Sequence, residues 1–446
     1  MSLHAGDQPP NSTVPAFPLP GSVDETPLAT AAGASPQEPV SSRYIWLMVL
    51  AQFGVFVAFI TPLAISLSIR LSTLAPGREE YLGYITGAGA AAVVLTNPLL
   101  GVLSDRTRTR LGRRRPFMIV GGLLGIGALT VMATAPSVLL LGLGWVLAQL
   151  TWGQALAALQ TSQADRLPEH QRGKVAGLVG FATQVAPVLG VSVASAFATD
   201  NLLLFLVPGG LGLLLLALFI CFVHEPDSRG AVFPERLAFG AVLSKYTFSP
   251  RRHPDYAWNW LGRFLFYFGL TLNTTFTAFF FAAKLGVSVT EVAGTIALLS
   301  LGGIVATTIG AIGGGFLSDR LRRRRIFVLS SGAIFAAGAL VMAFSASLPL
   351  LMFGSLMGAV GIGMFAAVDQ ALLLDVLPER GTDAARYMGI IGLAVSIAQA
   401  VAPLIAPIFL GIGVSGGEKN YPLLYVVAAA FTLAGGAVVL RIKSVR

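Results

Sequence analysis

From Tyr44 onward, uninterrupted apolar runs of about 20 residues or slightly more recur along the whole chain. That is the length an α-helix needs to cross a hydrocarbon core roughly 30 Å thick. The runs lie near residues 44–67, 82–103, 116–135, 138–160, 174–197, 201–223, 257–282, 292–317, 326–346, 349–374, 387–412 and 421–441. They do not alternate in steps of two, as the roughly ten-residue strands of a membrane barrel would. The expected fold is therefore an all-α integral membrane protein with twelve transmembrane helices. Only 11% of the residues are charged, too few to cover a soluble fold of 446 residues.

Residues 1–42 read differently. They hold eight prolines and no apolar run, and are expected to form a disordered tail because they have too little apolar surface to offset the entropy of ordering. No basic stretch precedes an apolar one, so a signal peptide is not expected. The twelve spans fall into two six-helix halves, residues 43–223 and 257–446, joined by a polar connection over 224–256. The halves repeat in sequence. Gly101-Val-Leu-Ser-Asp105-Arg106 is answered by Gly315-Phe-Leu-Ser-Asp319-Arg320, its acid 214 residues later. Gln160 and Asp165, before Pro168-Glu169, are answered by Gln370 and Asp375, before Pro378-Glu379, 210 residues later. Two such halves in parallel are a known transporter architecture.

The basic residues then set the orientation. With the N-terminus inside, 25 of the 30 Lys and Arg residues fall on cytoplasmic segments and only Arg70, Arg78, Lys284 and Lys419 on outer loops. The positive-inside rule thus places both termini in the cytoplasm. The +9 net charge is an orientation signal on a greasy chain rather than a nucleic-acid footprint, and no nucleic-acid partner is expected.

Gly101-Val-Leu-Ser-Asp-Arg-Thr-Arg-Thr-Arg-Leu-Gly-Arg-Arg-Arg-Pro116 resembles the loop between helices 2 and 3 of the major facilitator superfamily, which repeats between helices 8 and 9 as it does here at Gly315 to Arg325. Ser104-Asp105-Arg106 followed by Gly112-Arg-Arg-Arg-Pro-Phe117 is similar to the sucrose–proton and glycoside–pentoside–hexuronide cation symporters. The resemblance implies a gate. In the family, the equivalent of Asp105 meets helix 11 of the other half and locks the cytoplasmic side shut. Here helix 11 starts near Tyr387, and the mirrored contact would bring Asp319 to the start of helix 5 near Lys174. Gly101, Asp105, Arg106, Arg115, Asp319 and Arg320 are the expected gating residues. Physically, a carboxylate at the C-terminus of its own helix is unfavourable unless it faces another helix N-terminus or an Arg.

Polar side chains inside a span are costly unless they face a cavity or a partner. Gln52, Gln149, Trp152, Gln184, Tyr267, Asn273 and Gln399 are the candidates for binding substrate. Amides offer both donors and acceptors to hydroxyls, and ring faces pack on the apolar surface of a sugar. The same residues can equally bridge helices. Asp369 and Arg263 are the candidates for ion coupling, or else a structural pair. The chain has no phosphate-binding Gly-x-x-x-x-Gly-Lys-Ser/Thr run, its four His lie outside the spans, and Cys221 is its single cysteine. No cofactor, metal site or enzymatic constellation is expected. The expected function is alternating-access transport of a small organic solute, a sugar or glycoside, with a co-transported proton or sodium, by a monomer in the plasma or bacterial inner membrane. Export of an amphipathic metabolite or drug is the alternative, since Ala186-Pro187-Val-Leu-Gly190 partly matches the helix 5 pattern of drug antiporters. A membrane sensor with a transporter fold is a third.

Overall fold

The computed structural model describes residues 39–225, 227–230, 248–345, 347–379, 383–415 and 418–445. Most of the expected tail, the middle of the expected central connection and the side chain of Asp105 lie outside the described residues. From Val40 on, the chain packs as one compact unit. Among the described residues the only regular structure is helical. The helices are α1 (Ser42–Leu74), α2 (Glu80–Arg106), α3 (Arg115–Thr134), α4 (Val138–Arg166), α5 (Glu169–Ala196), α6 (Asn201–Phe222), α7 (Pro254–Thr275 and Thr277–Leu285), α8 (Val289–Leu321), α9 (Arg324–Phe344), α10 (Leu348–Val376), α11 (Ala384–Gly411) and α12 (Tyr421–Val438). Eleven are long and apolar enough to span a bilayer singly, and the two pieces of α7 make the twelfth.

Several helices outrun the apolar runs that announced them. α4 continues through Gln163 and Asp165 to Arg166, and α8 reaches Leu321. A helix need not stop where its sequence turns polar if those polar residues find partners, and here they do. α1 passes Pro62 without stopping. The proline lacks an N–H and displaces the ladder, so residues 62–66 form a π-turn, with the Leu67 N–H donating to the Pro62 carbonyl. α7 bends by 48° at Phe276 with no proline at all. Around the bend, the hydroxyls of Thr274, Thr275 and Thr277 donate to carbonyls one turn back, at Leu270, Thr271 and Asn273. Such back-bonding weakens the helical ladder and bends helices.

Within the first six helices, α1 packs on α4, α5 and α6, and α3 on α4 and α6; within the last six, α7 packs on α11 and α12, and α9 on α10 and α12. The two sets meet along two seams, α2 on α11 and α5 on α8. In the α2–α11 seam the contact is confined to one end. A methyl group on Gly83 would run into the Pro403 carbonyl and Phe276, and one on Gly87 into Leu404 and Ala400. Two heptads further along the same face of α2, Gly101 has nothing within 4 Å, and neither has Gly392 on α11. Leu95, Leu99 and Leu103 on α2 and Met388 on α11 are exposed there. The halves are thus closed at one face and parted at the other, the face that carries the two related basic loops.

Candidate functional site

The candidate site has three parts: a buried ion pair in the second half, its neutral counterpart in the first, and a small cavity beside the bend in α7.

Asn259 and Arg263 lie one helical turn apart on α7, so both project to the same neighbour, α10. There Asp369 is 1% exposed. Arg263 donates to its Oδ2 from Nε at 2.6 Å and from Nη2 at 2.5 Å. Asn259 Nδ2 donates to Oδ1 at 2.9 Å, and Arg263 Nη2 reaches Gln370 Oε1 at 3.3 Å. The carboxylate is held on both oxygens. Only Asn259 Oδ1, also buried, lacks a partner. A buried charge pair of this kind is tolerable because each charge has its partner, and removing either strands the other.

The repeat puts a different chemistry in the same place in the first half. Gln160 stands 210 residues before Gln370. Beside it, Gln52 Nε2 on α1 donates to Gln163 Oε1 on α4 at 2.6 Å. With Gln160 and Arg172, these amides line a cavity of about 620 Å³. One half therefore presents an ion pair and the other a pair of neutral amides.

Asn273 lies just before the bend in α7. Its side chain is 8% exposed, and it lines a cavity of about 200 Å³ together with Thr277, Ser300 and Ser355, against an apolar wall that includes Phe335 and Met342. Tyr267, two turns earlier, meets Phe365 edge to face at 6.0 Å between ring centroids. Phe365 itself stacks on Phe266 at 3.6 Å, joining α7 to α10.

The remaining sequence candidates are dispersed. Trp145 stacks on Phe59 at 6.4 Å and, with Gln149, packs over Gly89 of α2. Trp152 is fully buried and its indole fills the space left by Gly125 of α3, with no partner for its N–H. The row of Trp145, Gln149 and Trp152 on α4 thus faces neighbouring helices of its own half. Gln184 on α5 and Gln399 on α11 are exposed. Gln163 and Asn259, which make the closest amide contacts, were not singled out from the sequence. The signal for Gln163 was its place one turn beyond Gln160, and for Asn259 its place one turn before Arg263.

At the basic face, one contact recurs in both halves: an arginine at the start of α3 or α9 meets the acid near the end of α4 or α10. Arg114 Nη1 donates to Ser104 at 2.9 Å and its Nε lies 3.5 Å from Asp165. In the second half Arg324 bridges Asp319 at 3.2 Å and Asp375 at 2.5 Å. Arg114 and Arg324 are 210 residues apart, as are the two acids at the ends of α4 and α10. Arg115 donates to the Ile220 carbonyl and Arg325 to the Ile442 carbonyl, again as a pair. Arg320 is exposed and Arg106 half-buried. Glu225 accepts from the backbone N–H groups of Arg114 at 3.0 Å and Arg115 at 3.1 Å, an anion seated on the N-terminus of α3. Gly112, at φ +89°, turns the chain there, and any side chain on it would collide with Glu225.

The sequence profile of the Major Facilitator Superfamily matches residues 44–312 and 260–445. The chain is 35% identical over 106 residues to the general alpha-glucoside permease of Schizosaccharomyces pombe, covering 22% of this chain and 18% of that protein. It is 32% identical over 94 residues to the arabinose-proton symporter of Bacillus subtilis, covering 21% and 19%. These matches span less than a third of the curated relatives' length. Among solved structures, the nucleoside transporter NupG superposes with a TM-score of 0.72 at 12% identity, over 90% of this chain and 98% of that one, a likeness of fold.

Proposed function

Because the chain belongs to the major facilitator superfamily, we propose that it is a secondary transporter that takes up a sugar or related polyol by alternating access, together with a proton or sodium. The observation that carries the solute class is Asn273. An amide both donates and accepts, as a hydroxyl does, and this one faces hydroxyl side chains and an aromatic ring across a cavity beside a helix bend. Carriers of this kind hold solute beside discontinuous helices, and this cavity lies beside the break in α7, among α7, α8, α9 and α10 of the second half. The alpha-glucoside and arabinose of the relatives' names belong to the same class.

The pair of Asp369 and Arg263 is the coupling element in this reading. A cation that neutralises Asp369 releases Arg263 toward Gln370 and changes what α7 and α10 offer the solute. Gln52, with Gln160 and Gln163, serves as the polar wall of the opposite half. The basic face is cytoplasmic, so both termini are inside, and the parted end of the α2–α11 seam is the inner opening. Asp105 and Asp319, with their surrounding arginines, close that opening in the alternate state.

Thermal-shift measurements on purified protein test the solute class, since a ligand that binds the native state raises the apparent stability. Arabinose, glucose, myo-inositol, maltose and two hydrophobic cations form the panel. A sugar or polyol is expected to raise the Tm of the wild type and to lose that effect in Asn273→Ala, whose unliganded Tm should change little. A shift with the hydrophobic cations alone would overturn the reading in favour of an exporter.

A further inference from the structure

Four basic residues depart from the charge asymmetry: Arg70, Arg78, Lys284 and Lys419 lie at the face away from the basic loops. A charge placed against the topology rule needs a structural reason. Two have the same one. Arg70 donates to the Ala135 carbonyl at 2.7 Å, and Lys284 to those of Ala343 at 2.9 Å and Ser345 at 3.1 Å. Each satisfies carbonyls where the third helix of its own half ends, at a matching place in the repeat.

Lys419 does something else. It reaches out of its half. Its Nζ lies 2.6 Å from Glu80 Oε2 and 3.9 Å from Glu79 Oε2, at the start of α2. All three side chains are sheltered, with 16%, 19% and 22% of their surface exposed. Arg78, 3.7 Å from Glu80 and 64% exposed, is by contrast a surface ion worth little. The backbone carrying Lys419 is fixed by the next residue. The Asn420 N–H donates to the Leu410 carbonyl at 2.9 Å and Nδ2 to that of Ile412 at 2.9 Å, while Oδ1 accepts from the Leu423 N–H at 3.0 Å. Lys419 is therefore held out toward the other half. One turn below the pair, Gly83 meets Pro403 and Phe276.

We infer that Lys419, with Glu79 and Glu80, is an electrostatic latch between the two halves that holds the outer face shut and breaks in every cycle. The inference rests on the alternating-access reading but on no particular solute. Opening the outer face separates Lys419 from two adjacent carboxylates. Removing the lysine takes away the attraction across the seam and leaves two sheltered carboxylates without their partner, and parting the halves lets water reach them.

Spin labels read this directly. In a Cys221→Ser background, Thr73→Cys with Val287→Cys reports the outer face, and Leu103→Cys with Met388→Cys the inner one. Lys419→Ala is expected to enrich the long outer distance about tenfold over wild type, the usual range for a coupling of this kind, and to shorten the inner one. Lys419→Glu combined with Glu80→Lys should return the wild-type distribution. If Lys419→Ala is poorly folded, Glu79→Gln with Glu80→Gln removes the latch from the other side, and should shift the populations the same way. An inner pair that shows two distances while the outer one is indifferent to all these changes overturns the latch alone. If neither pair ever shows a second distance, the alternating-access reading falls and takes the latch with it.

Discussion

Asp369 and Arg263 show how much of a buried site depends on partnership rather than on residue type. Neither Asp369→Leu nor Arg263→Met should be tolerated alone, because each leaves a buried ion stranded, at about 3–5 kcal/mol. The double variant replaces the pair by apolar groups and should recover most of the lost Tm while remaining unable to concentrate solute. A double variant as unstable as the singles would show that the pair contributes more than mutual neutralisation. The two residues were legible in sequence as intramembrane charges, and so was their pairing. Asn259 was less so: its place one turn before Arg263 puts it on the same face, but an amide can bridge to any neighbouring helix, and the sequence alone does not say that it holds the second oxygen of Asp369. Trp152 shows the converse. With Gln149 three residues before it, it lies on one side of α4, but spacing does not say which neighbour that side meets. The small residue that admits it, Gly125, is on another helix, and its pairing with Trp152 is visible only in three dimensions.

Among the elements, the glycine seams separate contacts that hold a half together from contacts that join the two halves. Gly363 on α10 lies against the Thr307 backbone of α8, and Gly310 on α8 against the Val360 carbonyl. Gly363→Val should therefore damage the second half itself, seen as loss of monodisperse protein on size exclusion. Gly87→Val is expected to leave each half folded but pry the outer end of the α2–α11 seam apart, so that a cysteine at Thr73 reacts faster with a water-soluble maleimide. Gly101 gives a third outcome. With open space around it, Gly101→Val should leave the Tm unchanged yet slow transport, if α2 and α11 approach there in the alternate state. The pairs Gly83/Gly87, Gly121/Gly125 and Gly354/Gly358 have the four-residue spacing of a close-packing helix face. Which seam each would serve did not follow from them, since a glycine fits any backbone brought near it. The bend in α7 was hidden for a related reason. Threonines are ordinary in a span, and only their back-bonded hydroxyls, three within four residues, reveal the break.

Across the whole molecule, the internal repeat was the most informative sequence feature, and more of it is present than two matching motifs suggested. Arg114 and Arg324, Arg115 and Arg325, Arg70 and Lys284 perform matched tasks in the two halves, although only the loop motifs stand out by eye. Arg324→Ala should release Asp319 and Asp375 together and lower the Tm. Asp105→Asn should keep a normal membrane level but impair transport, and full activity in vesicles at normal protein level would count against the gate. Not everything repeats. The ion pair of one half is answered in the other by neutral amides, so the symmetry of the scaffold does not extend to its chemistry. One mechanical consequence follows from where the seam is tight. From Gly87 to Gly101 is about 21 Å of helix at 1.5 Å per residue. If the tight glycine contact is the fulcrum, that stretch of α2 is a lever arm. A tilt of the two halves about Gly83 and Gly87 is then multiplied into several ångströms at the basic loops, and the inner opening can widen or close without any helix unwinding.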